Sequence, residues 1–196
     1  MFQFDLQQAK WIHPPKTFTL GDGQVEIVTD PHTDLWQRTY YGFQNDNGHI
    51  LYNTTQEKYF SFTVETIFES KVLFDQCGVA IYQNSDCWFK SGVEKHDNDT
   101  GWLGSVVTNR GYSDWATTDV GSHVDHVWYR LSRRESDFCI ENSFDGVQFH
   151  QMRIFHLDGA DGEIRFGIMA CSPGNSSFKA IFKGLTVTEC LWKLHE

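Results

Sequence analysis

The sequence is poor in basic residues and contains no long apolar run. It has 16 Lys and Arg against 26 Asp and Glu, which gives a formal net charge of −10 and a pI of about 5.3. Such an acidic surface repels phosphate backbones and anionic headgroups, so we expect no nucleic acid and no membrane surface as a partner. No stretch of about 18 apolar residues is present, so we also predict no membrane span.

Cysteine is scarce, and its spacing excludes the common cysteine-based scaffolds. The five cysteines are odd in number, widely separated and free of any C-x-x-C pair. This pattern argues against a disulfide framework and against a zinc knuckle, so we expect buried, unreactive thiols. The first ten residues lack the apolar segment of a signal peptide. Together these features predict a cytoplasmic protein.

A convincing amphipathic helix is also missing, and the dominant pattern is period-two alternation. Aromatic residues make up 15% of the chain, which suits the half-buried faces of strands. About a dozen short strands at close spacing predict an all-β sandwich or barrel, and we expect residues 1–196 to form one domain. The clearest alternation runs through four segments, 60–68, 79–82, 88–94 and 164–170.

Turn signals separate the predicted strands. The pair Asp145-Gly146 divides two apolar segments and is the strongest hairpin signal. Asp22-Gly23 and Asn47-Gly48 are weaker signals of the same kind. The polar segment 97–101 predicts a loop between two further strands.

Five ordered stretches resemble one known family, the "regulation of enolase" family, which is also classed as a domain of unknown function. The resemblance covers roughly residues 10–190. It implies a concanavalin A-like jelly-roll sandwich of two antiparallel sheets, within the lectin/glucanase superfamily. It implies no catalytic residue for this chain, and the family label implies a link to the glycolytic enzyme enolase. The stretches are TDLWQRTYYGF (33–43) with DNGH (46–49), FDQCGV (74–79), WFKSGVE (88–94), SVVT (105–108) with GYSDW (111–115), and GIMACSP (167–173).

One face of the predicted strand 88–94 is the best candidate for a ligand-binding surface. Trp88, Lys90 and Glu94 lie at even spacings, about 6.6 Å for every two residues, and offer an aromatic plate, a cation and a carboxylate. A buried core face does not readily hold the two charges, because unpaired charges are costly there. The alternative is an exposed Lys–Glu pair with Trp88 as packing.

Neighbouring segments add further candidates for the same ligand site. Asp75 and Gln76 begin the next predicted strand and suit sugar hydroxyls, although an Asx-type turn is an equal alternative. Trp115 is predicted in a rim loop, either stacking on a sugar ring or plugging the end of the sandwich. Additional polar contacts, for which a structural role is the stronger alternative, are predicted from Arg38, Tyr40 and His49.

The glucanase motif of the superfamily is incomplete in this sequence. That motif is Glu-x-Asp-x-x-Glu on one strand, and its nearest match contains Glu135 and Asp137. The third acid is missing, since Glu141 is one residue late and points to the opposite face. Asp75 with Glu94 is the remaining candidate for an acid–base pair. Enzymatic activity therefore stays open, with the motif counting against it.

Metal sites have little support. Asp97 and Asp99 resemble part of a calcium loop, but no distal Glu follows at the required spacing. His123 and His126 fall on opposite faces of a strand. We expect no metal and no cofactor.

Three functions are compatible with these features. The first is a binding module for a carbohydrate or sugar-like metabolite in the concave groove, where Lys90 selects an acidic or phosphorylated sugar. The second is a protein-interaction regulator of a central-carbon enzyme such as enolase, whose basic patch meets the acidic surface. The third is an unrecognised sugar-active enzyme. Exposed aromatic edges also permit a homodimer.

Overall fold

The chain is built from β-strands. The computed structural model describes residues 2–21 and 23–193, which form sixteen strands and no helix. Within these two stretches there is no helical segment with the length and apolarity needed to cross a lipid bilayer. The strands are β1 (Lys10–Ile12), β2 (Thr17–Gly21), β3 (Gln24–Val28), β4 (Leu35–Gln37), β5 (Gln44–Asp46), β6 (His49–Thr55), β7 (Tyr59–Phe68), β8 (Gln76–Asn84), β9 (Cys87–Lys95), β10 (Thr100–Asn109), β11 (Tyr112–Gly121), β12 (His126–Arg134), β13 (Asp137–Ser143), β14 (His150–His156), β15 (Ile164–Cys171) and β16 (Lys179–Thr188).

Two seven-stranded antiparallel sheets form the sandwich. Sheet A has the order β1-β6-β15-β8-β9-β10-β11, and sheet B has the order β14-β13-β12-β7-β16-β3-β2. Strands β4 and β5 form a separate two-stranded sheet. The all-β jelly-roll sandwich of two antiparallel sheets that the sequence predicts is therefore confirmed.

The main hydrophobic core lies between the two sheets. Phe60, Phe62 and Val64 on β7 are buried in one cluster with Val79 and Ile81 on β8. These are side chains that the alternation assigns to single strand faces, so the strand-face prediction is confirmed for both segments. Each large apolar side chain buried in this way stabilises the fold by roughly 1.5–3 kcal/mol.

Sheet A carries a second apolar layer on the face turned away from sheet B. Ala80, Tyr82 and Trp88 alternate with the core residues of β8 and β9 and are buried on this outer face. Leu35 and Trp36 of β4 pack in the same cluster. The β4–β5 hairpin therefore covers part of the outer face of sheet A, and this covering creates the site described below.

The predicted turns fall largely where the sequence indicates. Strands β13 and β14 pair across residues 144–149, so the hairpin predicted at Asp145-Gly146 is confirmed, with a loop longer than two residues. Segment 96–99 connects β9 to β10, as predicted for the polar loop. Strands β2 and β3 pair with each other, and Asp22 between them lies outside the described residues.

The hairpin predicted at Asn47-Gly48 is wrong. The preceding strand β5 pairs with β4, whereas the following strand β6 pairs with β1 and β15 in sheet A. The backbone amides of Asn47 and Gly48 both donate to the backbone oxygen of Asp34. The turn therefore transfers the chain from the small sheet to sheet A, an arrangement that local turn chemistry does not distinguish from a hairpin.

The thiols are unpaired and mostly buried. All five cysteines, each within the described residues, are free, and only Cys190 is partly exposed. Burial raises the pKa of Cys87 to about 11 and that of Cys139 to about 12. These thiols are therefore poor nucleophiles in the folded protein.

Candidate functional site

A cavity of about 540 Å³ opens on the outer face of sheet A. Side chains of β8, β9 and β10 form its base, and the β4–β5 hairpin together with Trp115 of β11 forms one wall. Segments 72–74 and 173–174 complete the opening. The volume falls within the ~300–1,000 Å³ typical of small-molecule sites.

The floor of the cavity is a buried charged cluster centred on Lys90. Its Nζ donates to Oε1 of Gln76 at 2.8 Å and lies 3.5 Å from Oδ1 of Asp34. It also lies 4.0 Å from Oε1 of Glu94, beyond hydrogen-bond distance. Lys90 and Glu94 are about 13 Å apart along an extended strand. Because Gly92 between them has no side chain, both can lie along the sheet and approach each other.

Two carboxylates share this one ammonium group. Burial raises the pKa of Glu94 to about 7, the charge of Lys90 opposes that rise, and the charge of Asp34 adds to it. Burial acts to lower the pKa of Lys90, but the charges of Asp34 and Glu94 raise it above its ordinary value. Lys90 is therefore a cation, and Glu94 exchanges its proton close to neutral pH. The floor is neutral when Glu94 is protonated and carries one net negative charge when it is not.

Aromatic rings form the wall beside this floor. The Trp36 ring meets the Trp115 ring edge to face at 6.2 Å, and it meets the Tyr41 ring at 5.5 Å. Phe43 stacks on Tyr41 at 5.5 Å. Nε1 of Trp115 is buried without a hydrogen-bond partner among the described residues. The wall thus offers ring faces next to buried polar groups, which is the combination that orients small ligands.

The segment opposite the hairpin is held by Asp75. Its Oδ2 accepts from the amides of Lys71 and Val72 at 2.9 and 3.0 Å, and its Oδ1 accepts from Oγ of Ser176. Phe74, which lines the cavity, has a φ of 69°, a value uncommon for a side chain of this size. The hydrogen bonds of Asp75 therefore fix this segment beside the cavity.

Four of the residues predicted from the sequence line the cavity. Gln76, Lys90 and Glu94 form its floor, and Trp115 stands in its wall. The prediction that Trp115 lies in a rim loop is wrong, because it belongs to β11 and pairs with Val106 of β10. Its position in an edge strand nevertheless turns its ring toward the cavity.

The other five predicted residues lie elsewhere. Trp88 is fully buried, and its Nε1 donates to the backbone oxygen of Ser85, so the prediction of Trp88 as an aromatic plate in the hollow is wrong. Asp75 orders the loop beside the cavity and does not line it. The remaining three are Arg38, His49 and Tyr40, of which Tyr40 is 92% exposed and does not line the cavity.

Arg38 and His49 have structural contacts. Arg38 bonds Oδ1 of Asp86 at 3.1 Å and the backbone oxygen of Gly111 at 2.7 Å. His49 is buried, and its ring joins the amide of Asp30 to the backbone oxygen of His13. Burial lowers the pKa of His49, which keeps the ring neutral at physiological pH. Neither residue lines the cavity, and the contacts of both are those of structural residues.

Sequence reasoning missed the contribution of the β4–β5 hairpin. Asp34, Trp36, Tyr41, Phe43 and Asn45 all line the cavity. Residues 33–43 carry the resemblance to the family, but they lack period-two alternation and give no strand-face signal. The available signal is the density of aromatic side chains in a segment that is too irregular to be a core strand.

The incomplete glucanase motif lies away from the cavity. Glu135 connects β12 to β13 and pairs with Nζ of Lys58 at 2.6 Å. Its side chain is half exposed and it does not line the cavity. Residues 135–136 form a turn at the surface between β12 and β13.

Over nearly its whole length, the chain is similar to a curated protein sequence and to a solved crystal structure from budding yeast. It is 32% identical over 194 residues to "Regulation of enolase protein 1" of Saccharomyces cerevisiae, covering 98% of this chain and 96% of that one. A crystal structure of a functionally unknown protein from Saccharomyces cerevisiae superimposes with a TM-score of 0.88 and 31% identity, covering 96% of this chain and 100% of that chain.

A more distant likeness concerns the fold alone. A xylan β-1,4-xylosidase from Bacillus halodurans C-125 matches with a TM-score of 0.67 and 10% identity, over 85% of this chain and 33% of that chain. Residues 11–190 match the family described as "Protein of unknown function (DUF1349)". By this match the chain belongs to the DUF1349 family, and it is related to the yeast protein named for the regulation of enolase.

Proposed function

We propose that the protein binds a neutral sugar or sugar-like metabolite in the cavity on the outer face of sheet A. The observation that carries this proposal is the buried cluster of Lys90, Gln76 and Glu94 beneath the rings of Trp36 and Trp115. Sugar rings present hydroxyl groups at their edges and apolar C–H groups on their faces. The polar floor matches the first feature and the ring faces match the second.

The charge balance of the floor favours a neutral ligand over an acidic one. The sequence alone suggests that Lys90 selects a phosphorylated or carboxylated sugar. Lys90, however, already faces the carboxyl groups of Asp34 and Glu94. A phosphate brought to this floor meets two acidic groups and one ammonium group, so its desolvation is poorly compensated.

Calorimetric titration tests the proposal. The neutral ligands are glucose, galactose, mannose, xylose and arabinose. The acidic arm of the experiment consists of two charged derivatives of glucose, glucose 6-phosphate and glucuronate. We expect at least one neutral sugar to bind, and we expect the acidic arm to bind more weakly than its neutral parent. A binding ligand also raises the melting temperature, because it stabilises only the folded state.

A pair of tryptophan variants provides the control. Trp115→Leu removes a ring from the cavity wall and should weaken binding about tenfold, or about 1.4 kcal/mol. Trp128→Leu removes a half-buried ring from β12 in sheet B and should leave affinity unchanged. Absence of binding by every neutral sugar at millimolar concentration contradicts the proposal, and so does equal weakening in both variants.

A second candidate, a regulator of enolase through direct contact, is favoured by the name of the yeast relative. The net charge of −10 supports association with a basic surface. Surface plasmon resonance with purified enolase tests this candidate. If the two proteins bind through opposite charges, the dissociation constant should rise steeply with salt concentration. An absence of binding at low ionic strength rejects this candidate.

We also propose a cytoplasmic location. The five unpaired cysteines support a reducing compartment, because exposed and partly exposed thiols oxidise outside it. Fluorescence microscopy of the tagged full chain tests this location. A signal confined to an organelle or to the medium contradicts it.

A further inference from the structure

The mouth of the cavity differs chemically from its floor. Tyr41, Phe43, Val72 and Leu73 line the mouth, and each is between 42% and 47% exposed. We call these four residues the apolar collar. Tyr41 and Phe43 come from the segment between β4 and β5, whereas Val72 and Leu73 come from the segment between β7 and β8. Two separate segments therefore present apolar side chains to solvent at one opening.

Both halves of the collar are held in place. Phe43 stacks on Tyr41, which in turn packs against the buried ring of Trp36. Val72 is fixed through its amide, which donates to the buried carboxylate of Asp75. The collar is thus a preorganised apolar surface on an acidic protein, and such surfaces mark binding sites.

We infer that the ligand is a sugar ring carrying an apolar substituent, with the ring on the polar floor and the substituent in the apolar collar. This inference rests on the proposed function and names the ligand class more narrowly. The cavity volume of about 540 Å³ suits a ligand of this two-part form. A substituent seated in the collar removes apolar surface from water on both partners.

A second sugar ring fits the collar less well. Its hydroxyl groups lie against the aliphatic side chains of Val72 and Leu73, which offer no hydrogen bonds. A polar group that loses water without gaining a partner weakens binding. The collar therefore favours an aryl or alkyl glycoside over a disaccharide.

Calorimetric titration with matched glycosides tests the inference. The probes are the methyl and phenyl β-glycosides of glucose, galactose and xylose, the octyl β-glycoside of glucose, and cellobiose. For the sugar that binds, we expect the phenyl glycoside to bind about tenfold more tightly than the methyl glycoside. The octyl glycoside should show a similar gain, and cellobiose should show little.

Variants of the apolar collar test whether its side chains cause the tighter binding of the phenyl glycoside. Phe43→Ser and Leu73→Ser should each weaken binding of the phenyl glycoside much more than binding of the methyl glycoside, and so remove most of the phenyl advantage. Val147→Ser, at an 80% exposed apolar residue of the β13–β14 loop, is the matched control and should change neither affinity.

The possible failures are distinguishable. Equal affinities of methyl and phenyl glycosides, a phenyl advantage that survives both collar variants, or a cellobiose gain as large as the phenyl gain overturns the inference and leaves the proposed function standing. Failure of every sugar and glycoside to bind overturns the proposed function itself.

Discussion

Replacing Glu94 with Gln should change how the stability of the protein depends on pH. Glu94 is 7% exposed, and its neighbouring ammonium group on Lys90 is 4.0 Å away. Burial raises its pKa from the ordinary 4.5 to about 7. The desolvation of this carboxyl group is therefore larger than its attraction to Lys90.

The sign and size of the effect follow from proton linkage. Between pH 4.5 and 7 the folded protein binds the Glu94 proton more tightly than the unfolded chain does, so stability falls as pH rises through this window. The contribution is fully present below pH 4.5 and is lost above pH 7. A difference of two and a half pKa units corresponds to about 3 kcal/mol. Glu94→Gln has no titrating group at this position and lacks this slope.

Urea unfolding at pH 5, 6, 7 and 8 measures the effect. The free energy of unfolding of Glu94→Gln, minus that of the parent, should grow by up to about 3 kcal/mol from pH 5 to pH 8. Glu163→Gln, at an exposed glutamate outside the cavity, is the matched control for the chemical change from carboxyl to amide. A constant difference for Glu94→Gln refutes the reasoning. A difference that shrinks toward pH 8 also refutes it, because it makes Glu94 a well-paired ion with a lowered pKa.

Three other outcomes are expected from the same structure. Lys90→Met should lower the free energy of unfolding by about 3–5 kcal/mol at pH 8, because it leaves buried carboxylates without a cation. The loss should be smaller at pH 5, where the carboxyl group of Glu94 is protonated. Equal losses at the two pH values in urea unfolding contradict this prediction. Gly92→Ala should destabilise the protein by about 1–3 kcal/mol, because the new Cβ lies 2.3 Å from the backbone oxygen of Cys77. The control Gly162→Ala places its Cβ in open space and should be neutral. Scanning calorimetry compares the melting temperatures of the two variants. A thiol reagent should label Cys190 first and Cys77 only after the protein unfolds, because Cys77 is buried. Mass spectrometry follows the labelling. Rapid labelling of Cys77 in the folded protein contradicts its burial in the core.

The sandwich was predictable from sequence because its signal is local and repeated. Phe60, Phe62 and Val64 alternate with polar residues on β7, and the same period appears on β8, β9 and β15. Alternation reports which side chains share a face, and it assigned Lys90 and Glu94 correctly to one face with Trp88. It does not report what covers that face.

The site was only half predictable because its cover comes from distant sequence. Trp88 shares the face of Lys90, but β4 and its neighbours bury Trp88 and leave Lys90 beside a cavity. Asp34 reaches Lys90 across 56 positions of sequence, so no spacing rule links them. The sequence predicts a loop at Trp115 because a glycine follows the preceding strand, but this glycine lies in a tight turn and Trp115 belongs to the edge strand β11.

The most direct measurement is a sugar titration followed through the tryptophan indole N–H signals in a two-dimensional ¹H–¹⁵N spectrum. Glucose, galactose and xylose are the titrants, and single Trp→Phe variants assign the signals. The Trp36 and Trp115 signals should shift and saturate at the same sugar concentration, while those of Trp88 and Trp128 should stay fixed. Unmoved Trp36 and Trp115 signals with all three sugars, or shifts confined to Trp128, contradict it.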